Sequence, residues 1–324
     1  MDFELSSDQQ ALAEGMRAFC DGRFAMATVR SLEDVGIERG LWRELAEMGV
    51  FSLRLPEGAG GVGLGWADAA LAFEELGRAL VPGPLVWTHL AAGLVPGAAE
   101  GTVVVTGTWR DEPTGVIPFA GIADAVVVLD DAGVWLVDGA DLVVDPVALP
   151  LDPWTPCGVV QGQLPQGRQI GDAHAAAALR RGGAALVAAQ LLGLAEASTD
   201  LSVAFARERV QFDRPIGTFQ ALKHLMADML VRTEVARSAV YAAGVTLDDP
   251  EVGDADRAVA AAKVTATEAA LGNAKTCIQV HGGMGYTWEV DAHLFFKRAY
   301  ALAPEFGSVD DWSELLADLL DAAG

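Results

Sequence analysis

Cysteine is scarce in this sequence, and the three that occur, Cys20, Cys157 and Cys277, lie far apart. An odd number of widely spaced thiols builds neither a disulfide framework nor a zinc site, so we expect buried free thiols. This usage fits the reducing cytoplasm, where we place the protein. The stretch MDFELSSDQQ also lacks the basic start and apolar core of a signal peptide, so none is predicted.

Basic residues are few as well: 22 Lys and Arg stand against 45 Asp and Glu, which gives a net charge of −23. They are scattered singly or in pairs such as Arg180–Arg181, so no basic patch is offered to a nucleic acid and no such partner is expected. An anionic small ligand remains compatible with this charge, because it needs only a few well-placed donors. A long apolar run is also missing. Arg180 and Arg181 interrupt the most apolar region, residues 173–195, so no membrane span is predicted.

The pattern along the chain changes twice. A hydrophobic content of 52% indicates a globular protein, and 324 residues are enough for two or three subdomains. Residues 1–96 have helical periodicity, residues 97–168 are β-rich, and residues 169–324 are helical again. We therefore predict an α+β fold, mostly α, with an N-terminal helical domain, a small middle β-domain and a C-terminal four-helix bundle.

Helix signals in the first zone are clear. The segment from Ser7 to Gln10 fits a capping box, and three apolar stripes, in residues 12–19, 41–48 and 66–80, predict three helices. Before the third stripe, LPEGAGGVGLG contains a G-x-G-x-x-G pattern at Gly58, Gly60 and Gly63. A dinucleotide-binding loop needs a second parallel strand after the helix, and none follows. We interpret this stretch as a turn between helices.

The second and third zones have different periods. Five short β-rich runs, TVVVTG, AVVVLD, VWLVD, LVVDPV and CGVVQG, are separated by Gly, Pro and Asp. They predict a small antiparallel sheet or barrel. The third zone predicts four helices, over residues 173–206, from Phe219 onward, over about 254–280 and after a cap formed by Ser308 and Asp311.

A polar break follows the first helix of the third zone. The stretch RERVQFDRPIG places Arg209, Gln211 and Phe212 just before Pro215. A guanidinium and an amide at such a turn can bind a phosphate or the edge of a ring. A solvated surface arginine is the alternative interpretation.

A second break ends the helix that follows. In QVHGGMGY, Gln279 offers an amide, while Gly282 and Gly283 allow the backbone to approach a ligand closely. Two polar, glycine-marked breaks in one helical zone favour a binding surface over two unrelated turns.

These motifs resemble those of a known family. The pattern R-x-Q-F-x-x-P-I-x-x-F-Q-x-x-x-H-x-x-A-D-M, from Arg209, and QVHGGMGYTWE, from Gln279, resemble two signatures of acyl-CoA dehydrogenases. LWRELAEMGV, LPEGAGGVGLG and FEELGRAL resemble the family's first helical domain, and the helical–β–helical order is the same. The resemblance implies an FAD enzyme that oxidises an acyl-CoA thioester to the 2,3-enoyl-CoA. A Glu takes the α-proton while the β-hydride passes to the flavin N5.

The resemblance also implies how FAD is held. In family dimers the two signatures bind the ADP part of the neighbouring subunit's FAD. Carried over to this chain, the cofactor-binding residues are Arg209, Gln211, Phe212, Gln220, Gln279, Gly282 and Gly283. An electron-transfer protein is implied as the acceptor.

Other family features are missing. The T-E-P-x-x-G-S-D-like stretch and the W-I-T/S strand, which lie along the flavin ring, do not occur between residues 97 and 168. The catalytic Glu of a Y-E-G-T-like loop falls on Phe306, one residue after Glu305. The position used by other members falls on Gly183 or Ala184. None of these three residues can abstract a proton.

Two smaller departures accompany these. Asp213 replaces the usual Gly of the first signature, and Leu294 stands where the second usually has a basic residue.

The resemblance and its gaps together predict a degenerate, beta-type subunit of a heteromeric α2β2 acyl-CoA dehydrogenase, as in actinobacterial sterol side-chain degradation. A homologous partner would supply the catalytic Glu and the flavin-ring contacts. Two alternatives stay open. One is a self-sufficient homo-oligomeric enzyme that uses Glu305 as its base, and the other is a flavin-free scaffold subunit.

Overall fold

A computed structural model describes residues 5–112 and 114–322 of the chain. The outermost residues of the first and third predicted zones, 1–4 and 323–324, therefore lie outside the described residues. The helices, in chain order, are α1 (Ser7–Arg23), α2 (Met26–Ser31), α3 (Arg39–Glu47), α4 (Trp66–Arg78), α5 (Leu85–Ala91), α6 (Ala173–Glu208), α7 (Gln220–Asp248), α8 (Ala255–His281), α9 (Ala292–Leu302) and α10 (Val309–Asp321). The strands are β1 (Val105–Trp109), β2 (Val116–Pro118), β3 (Ala125–Asp130), β4 (Gly133–Asp138), β5 (Val144–Pro146), β6 (Cys157–Val160), β7 (Arg168–Asp172), β8 (Val210–Gln211) and β9 (Arg214–Pro215).

Contacts along the chain define two compact units. One consists of Met1–Phe24, Ala70–Val81 and Ala184–Gly324, and the other of Ala25–Ala69 and Pro82–Gly183. Each unit combines stretches from different predicted zones, and the three-domain division at residues 96 and 168 stays a prediction.

The first unit is helical, and its tightest helix contact depends on glycine. A side chain at Gly77 on α4 or at Gly193 on α6 would collide with the backbone of the other helix. Buried Asn273 on α8 joins two further helices. Its Nδ2 lies 2.9–3.2 Å from backbone and hydroxyl oxygens of α6 and α7. The four predicted helices of this region are confirmed, and α9 is an additional one.

Helix caps show one correction. The capping box of α1 is formed by Ser6 and Gln9, one residue earlier than predicted, because Ser6 has the extended backbone of an N-cap. The box formed by Ser308 and Asp311 at the start of α10 is confirmed.

The second unit holds two small sheets. One has the strand order β1-β3-β4-β7 and the other β2-β6-β5. The expectation of an antiparallel sheet is wrong for one pair, because β1 and β3 run parallel. Strand β2 lies between them in sequence but belongs to the other sheet, so the chain returns to β3 in the same direction. Ile117, Val126, Val128 and Val137 form the core between these strands.

Helix α6 is long and apolar enough to cross a membrane by length and composition alone. However, 83% of its most apolar window is buried inside the protein. Such burial is typical of the core helix of a globular domain.

Candidate functional site

The first polar break is a tight hairpin directly after α6. Strands β8 and β9 pair with Gln211 opposite Arg214, so the turn consists of Phe212 and Asp213 alone. These two residues have φ angles of 53° and 61°, as a two-residue hairpin turn of the primed type requires. Ile216 N donates to Arg209 O over 2.8 Å and extends the pairing by one residue.

The predicted residues of this break face solvent. Arg209, Gln211 and Gln220 are exposed, and 84% of Phe212 is accessible. The Phe212 ring meets Phe219 edge to face, with ring centroids 6.0 Å apart. Exposing so large an apolar ring stabilises no core, so its position favours a contact with another molecule.

The second break lies at the end of α8. Gly282 has a φ of 62° and begins a short 3-10 turn, Gly282–Tyr286. A Cβ built on Gly282 or Gly283 would meet no heavy atom within 4 Å, so open space lies in front of both. Gln279, on the last turn of α8, is exposed.

The two breaks lie at the same end of the helical unit. Phe205, four residues before Arg209, stacks on His281, with ring centroids 4.1 Å apart and planes at 27°. His281 immediately precedes Gly282, and its Nδ1 lies 2.8 Å from Cys277 O. One aromatic contact therefore joins the helix ends that carry the two motifs.

The side-chain hydrogen-bond donors of this surface are available to a ligand. Within the described part of the chain, the side chains of Arg209, Gln211, Gln220 and Gln279 have no hydrogen-bond partner. A guanidinium, three amides, an exposed aromatic face and two open glycines fit a nucleotide, whose diphosphate needs donors and whose base needs a flat apolar contact. Among the described residues, no cluster of three His, Cys, Asp or Glu side chains could hold a metal ion.

The loop between α9 and α10 contains the alternative base. Phe306, at the family position of the catalytic Glu, is 2% exposed and has a φ of 57°. Its carbonyl accepts from Trp312 Nε1 over 3.0 Å, so this residue belongs to the core. Glu305 is partly buried. Burial raises the pKa of Glu305 to about 7, although the charges of Lys263 and Arg298 oppose the rise.

Both of these basic side chains donate hydrogen bonds to backbone carbonyls near the ends of helices. Lys263 is fully buried, and its Nζ donates to Ala303 O over 2.9 Å at the end of α9. Burial lowers the pKa of Lys263 to about 7, against the attraction of Glu305. Arg298 Nη1 donates to the carbonyls of Leu80 and Val81 over 3.2 and 3.0 Å.

The sequence reasoning missed this cluster. The available signal was the position of Lys263, which falls on the buried stripe of α8 that also contains Val259, Ala266 and Ala270.

The second position for a catalytic Glu lies about three turns into α6 and is also closed. Gly183 and Ala184 are buried, and a side chain at neighbouring Gly182 would collide with the Trp66 ring. The Arg54 guanidinium covers Trp66, 3.2 Å from the ring centroid. Neither family position thus presents a carboxylate to a ligand.

A charged cavity of about 330 Å³ lies elsewhere in the helical unit and was not predicted. Glu74, on its wall, is bound by Arg237 and by the Tyr241 hydroxyl. Burial raises the pKa of Glu74 to about 7, and Arg237 opposes the rise. Arg237 also pairs with Glu196 over 2.8 Å. These carboxylates are tied to arginines, as in a structural ion-pair network.

In a comparison with known proteins, two models of one family match the N-terminal and C-terminal parts of the chain. The acyl-CoA dehydrogenase N-terminal domain model matches residues 6–103, and the C-terminal domain model matches residues 175–310. Acyl-CoA dehydrogenase IpdE2 of Mycobacterium tuberculosis is 37% identical over 309 residues, covering 91% of this chain and 92% of IpdE2. Acyl-CoA dehydrogenase FadE34 of the same organism is 33% identical over 350 residues. The match covers 98% of this chain but 48% of FadE34, so the chain spans about half of that relative's length.

Solved structures share the fold. The ChsE4–ChsE5 complex of Mycobacterium tuberculosis matches with a TM-score of 0.85 and 24% identity, covering 99% of both chains. A Tcur3481–Tcur3483 steroid ACAD variant matches with a TM-score of 0.83 and 24% identity, covering 98% of both.

Proposed function

The chain belongs to the acyl-CoA dehydrogenase family, and we propose that it is one subunit of an enzyme built from two unlike chains. Membership of the family indicates FAD as the cofactor, and bound FAD supplies the acceptor for the hydride in α,β-desaturation of an acyl-CoA thioester. In this proposal the present chain binds the ADP side of a shared FAD, and a homologous partner supplies the catalytic Glu.

The observation that carries the proposal is a contrast in exposure. The nucleotide-binding residues carried over from the family, such as Arg209 and Gln279, are exposed and have no protein partner in the described part of the chain. The positions for the base, Phe306 and Ala184, are instead buried. A chain with this arrangement can hold a cofactor for another subunit while offering no base at either position.

The roles of the individual residues follow from their chemistry. The guanidinium of Arg209 neutralises the diphosphate, and the amides of Gln211 and Gln279 donate to phosphate or ring acceptors. The open backbone at Gly282 and Gly283 lets the ligand approach closely. Phe212 provides the flat apolar contact for the base.

The partner in this proposal is a second acyl-CoA dehydrogenase chain in an α2β2 assembly. ChsE4–ChsE5 is a complex of two proteins, the Tcur3481–Tcur3483 steroid ACAD variant carries two protein names, and both share the fold of this chain. FadE34, about twice as long as this chain, has room for two such units in one polypeptide. We extend the proposal to a steroid-derived acyl-CoA as substrate, an electron-transfer protein as acceptor and the cytoplasm as location.

The test is the flavin content of the chain with and without its partner. The chain is purified alone, and as the assembly isolated from its native host through a tag on this chain. We expect one FAD for every two unlike chains in the assembly, and a colourless, inactive isolated chain. A yellow isolated chain that oxidises acyl-CoA would refute the proposal.

Replacement of Arg209 by Ala separates a binding role from a scaffold role. FAD loss from the assembly is expected if this chain binds the cofactor, whereas full FAD retention supports a flavin-free scaffold.

One observation favours a self-sufficient enzyme. A pKa of about 7 for Glu305 suits a general base at neutral pH. In such an enzyme Glu305→Gln would abolish turnover, whereas in the proposed assembly the substitution leaves turnover in place.

A further inference from the structure

We propose that Arg214 is a further nucleotide-binding residue, which binds the FAD diphosphate together with Arg209. This inference rests on the proposed function, because it assigns another residue to the same surface. Three independent features of the hairpin support it: its register, the stacking of the guanidinium and the local charge.

The register places Arg214 beside the residues already assigned to the nucleotide. Gln211 and Arg214 are direct partners across the two strands, and Arg209 lies opposite Ile216. Because side chains alternate along a strand, Arg209 and Gln211 point to one face of the hairpin, and cross-strand partners share a face. Arg214 therefore lies on the face that carries Arg209 and Gln211.

Stacking fixes the Arg214 guanidinium in place. Its Cζ lies 4.2 Å from the centroid of the Phe219 ring, which also contacts Phe212. A guanidinium that lies over an aromatic ring is attracted to it, which restrains the side chain without using up its hydrogen-bond donors on other polar groups. An exposed arginine normally loses side-chain entropy when it binds an anion, and prior stacking reduces that loss.

The N–H groups of Arg214 are available to a ligand. Within the described part of the chain, its side chain has neither a hydrogen bond nor an ion pair. Arg17, Arg110 and Arg237, by contrast, bind carboxylates. An arginine that is held in place yet lacks an acceptor is typical of an anion-binding position.

The local charge at the hairpin also favours a role for Arg214. Glu208 and Asp213 flank Arg209 and Arg214 in sequence, and the chain as a whole carries a net charge of −23. The stretch from Arg207 to Arg214 carries three arginines and two acids, so it has one excess positive charge and would be neutral without Arg214. Two guanidiniums on one face give a dianionic diphosphate a matched pair of cations.

The experiment compares four assemblies, each purified through a tag on this chain: wild type, Arg214→Ala, Arg209→Ala and Arg257→Ala. Arg257 is the matched control, because it is exposed but lies at the opposite end of α8 from Gly282. FAD is removed, and its rebinding is followed by the quenching of flavin fluorescence at increasing salt concentration.

We expect Arg214→Ala to weaken FAD binding about 10- to 100-fold, as for the loss of a charged hydrogen-bond donor. Its affinity should also fall less steeply with salt, which a purely structural defect in the hairpin would not cause. Arg214→Lys should lie between wild type and Arg214→Ala, because the charge is kept without the planar fork. Arg257→Ala should match wild type.

The outcomes separate this inference from the proposed function. If Arg209→Ala loses FAD while Arg214→Ala binds it as wild type does, the role of Arg214 is refuted and the proposed function stands. If both variants bind FAD as wild type does, the surface holds no nucleotide and both proposals are wrong.

Discussion

Replacement of Glu305 by Gln tests the charge cluster at the end of α9. Glu305 is partly buried, and the charges of Lys263 and Arg298 act on it. Removing the carboxylate leaves fully buried Lys263 without the attraction that raises its pKa. The substitution is nearly isosteric, so the main change is electrostatic.

The sign of the pH effect follows from the raised pKa of Glu305. This pKa is about 7 in the folded chain, against 4.5 without the fold, so the folded state binds the extra proton between these values. The free energy of unfolding therefore falls as pH rises through this window, and the ionised carboxyl costs about 3 kcal/mol by pH 7. Glu305→Gln removes this loss. Without Glu305 the pKa of Lys263 in the folded chain falls further. The folded variant then gains stability from the deprotonation of Lys263 at a lower pH than wild type does, which increases the difference between the two proteins.

The assay is urea unfolding of the isolated chain at pH 5 and pH 7. We expect wild type to lose about 2 kcal/mol more than Glu305→Gln over this interval, because about 1 kcal/mol of the total has already been lost at pH 5. Glu268→Gln, an exposed carboxyl on the same helix as Lys263, is the control and should follow wild type. If the free energy of unfolding of wild type and of Glu305→Gln changed with pH in the same way, the pKa of Glu305 would not be raised in the folded chain and the reasoning would be refuted.

Three further predictions concern packing and the hairpin turn. Asn273→Ala should lower the free energy of unfolding by about 2–3 kcal/mol in urea, because it removes the buried hydrogen bonds that join α8 to α6 and α7. Gly193→Ala should destabilise the fold by about 1–3 kcal/mol or more, because the added methyl group collides with α4. Gly15→Ala, where the methyl group meets nothing within 4 Å, should instead stabilise the fold by about 0.5–1 kcal/mol. Thermal unfolding of both variants measures the contrast. Asp213→Gly should raise the affinity of the assembly for FAD about severalfold in the fluorescence assay, because it removes a carboxylate beside Arg214 and suits the φ of 61°.

Long periodic elements could be predicted from the sequence. Helix α6 follows from its long run rich in Ala and Leu, and the structure places it at Ala173–Glu208 against a predicted 173–206. Helix α9 was missed because two of its buried residues, His293 and Arg298, are polar and hide the apolar period. The first capping box was placed one residue late, because Ser6 and Ser7 are adjacent and both fit the motif.

Tertiary context decided what the sequence could not show. The parallel pairing of β1 with β3 depends on β2 entering another sheet, which no local pattern records. The environment of Glu305 is set by Lys263, 42 positions away, and by Arg298 on the preceding helix. Each motif of the proposed site is local in sequence and could be recognised there, but the Phe205–His281 contact that brings the two motifs together is not local.

Burial distinguishes the positions of the family's catalytic base from the proposed nucleotide-binding hairpin. Phe306 and Ala184 contribute to the core, so a carboxylate introduced at either position would have to be desolvated and would destabilise the fold. Phe212 and Arg209 contribute little to the core, and the exposed ring of Phe212 gains no burial within this chain. The fold alone therefore gives no stability reason to keep an aromatic ring and a guanidinium on this hairpin. A nucleotide bound across a subunit boundary does give such a reason, since it would bury the ring and neutralise the charge.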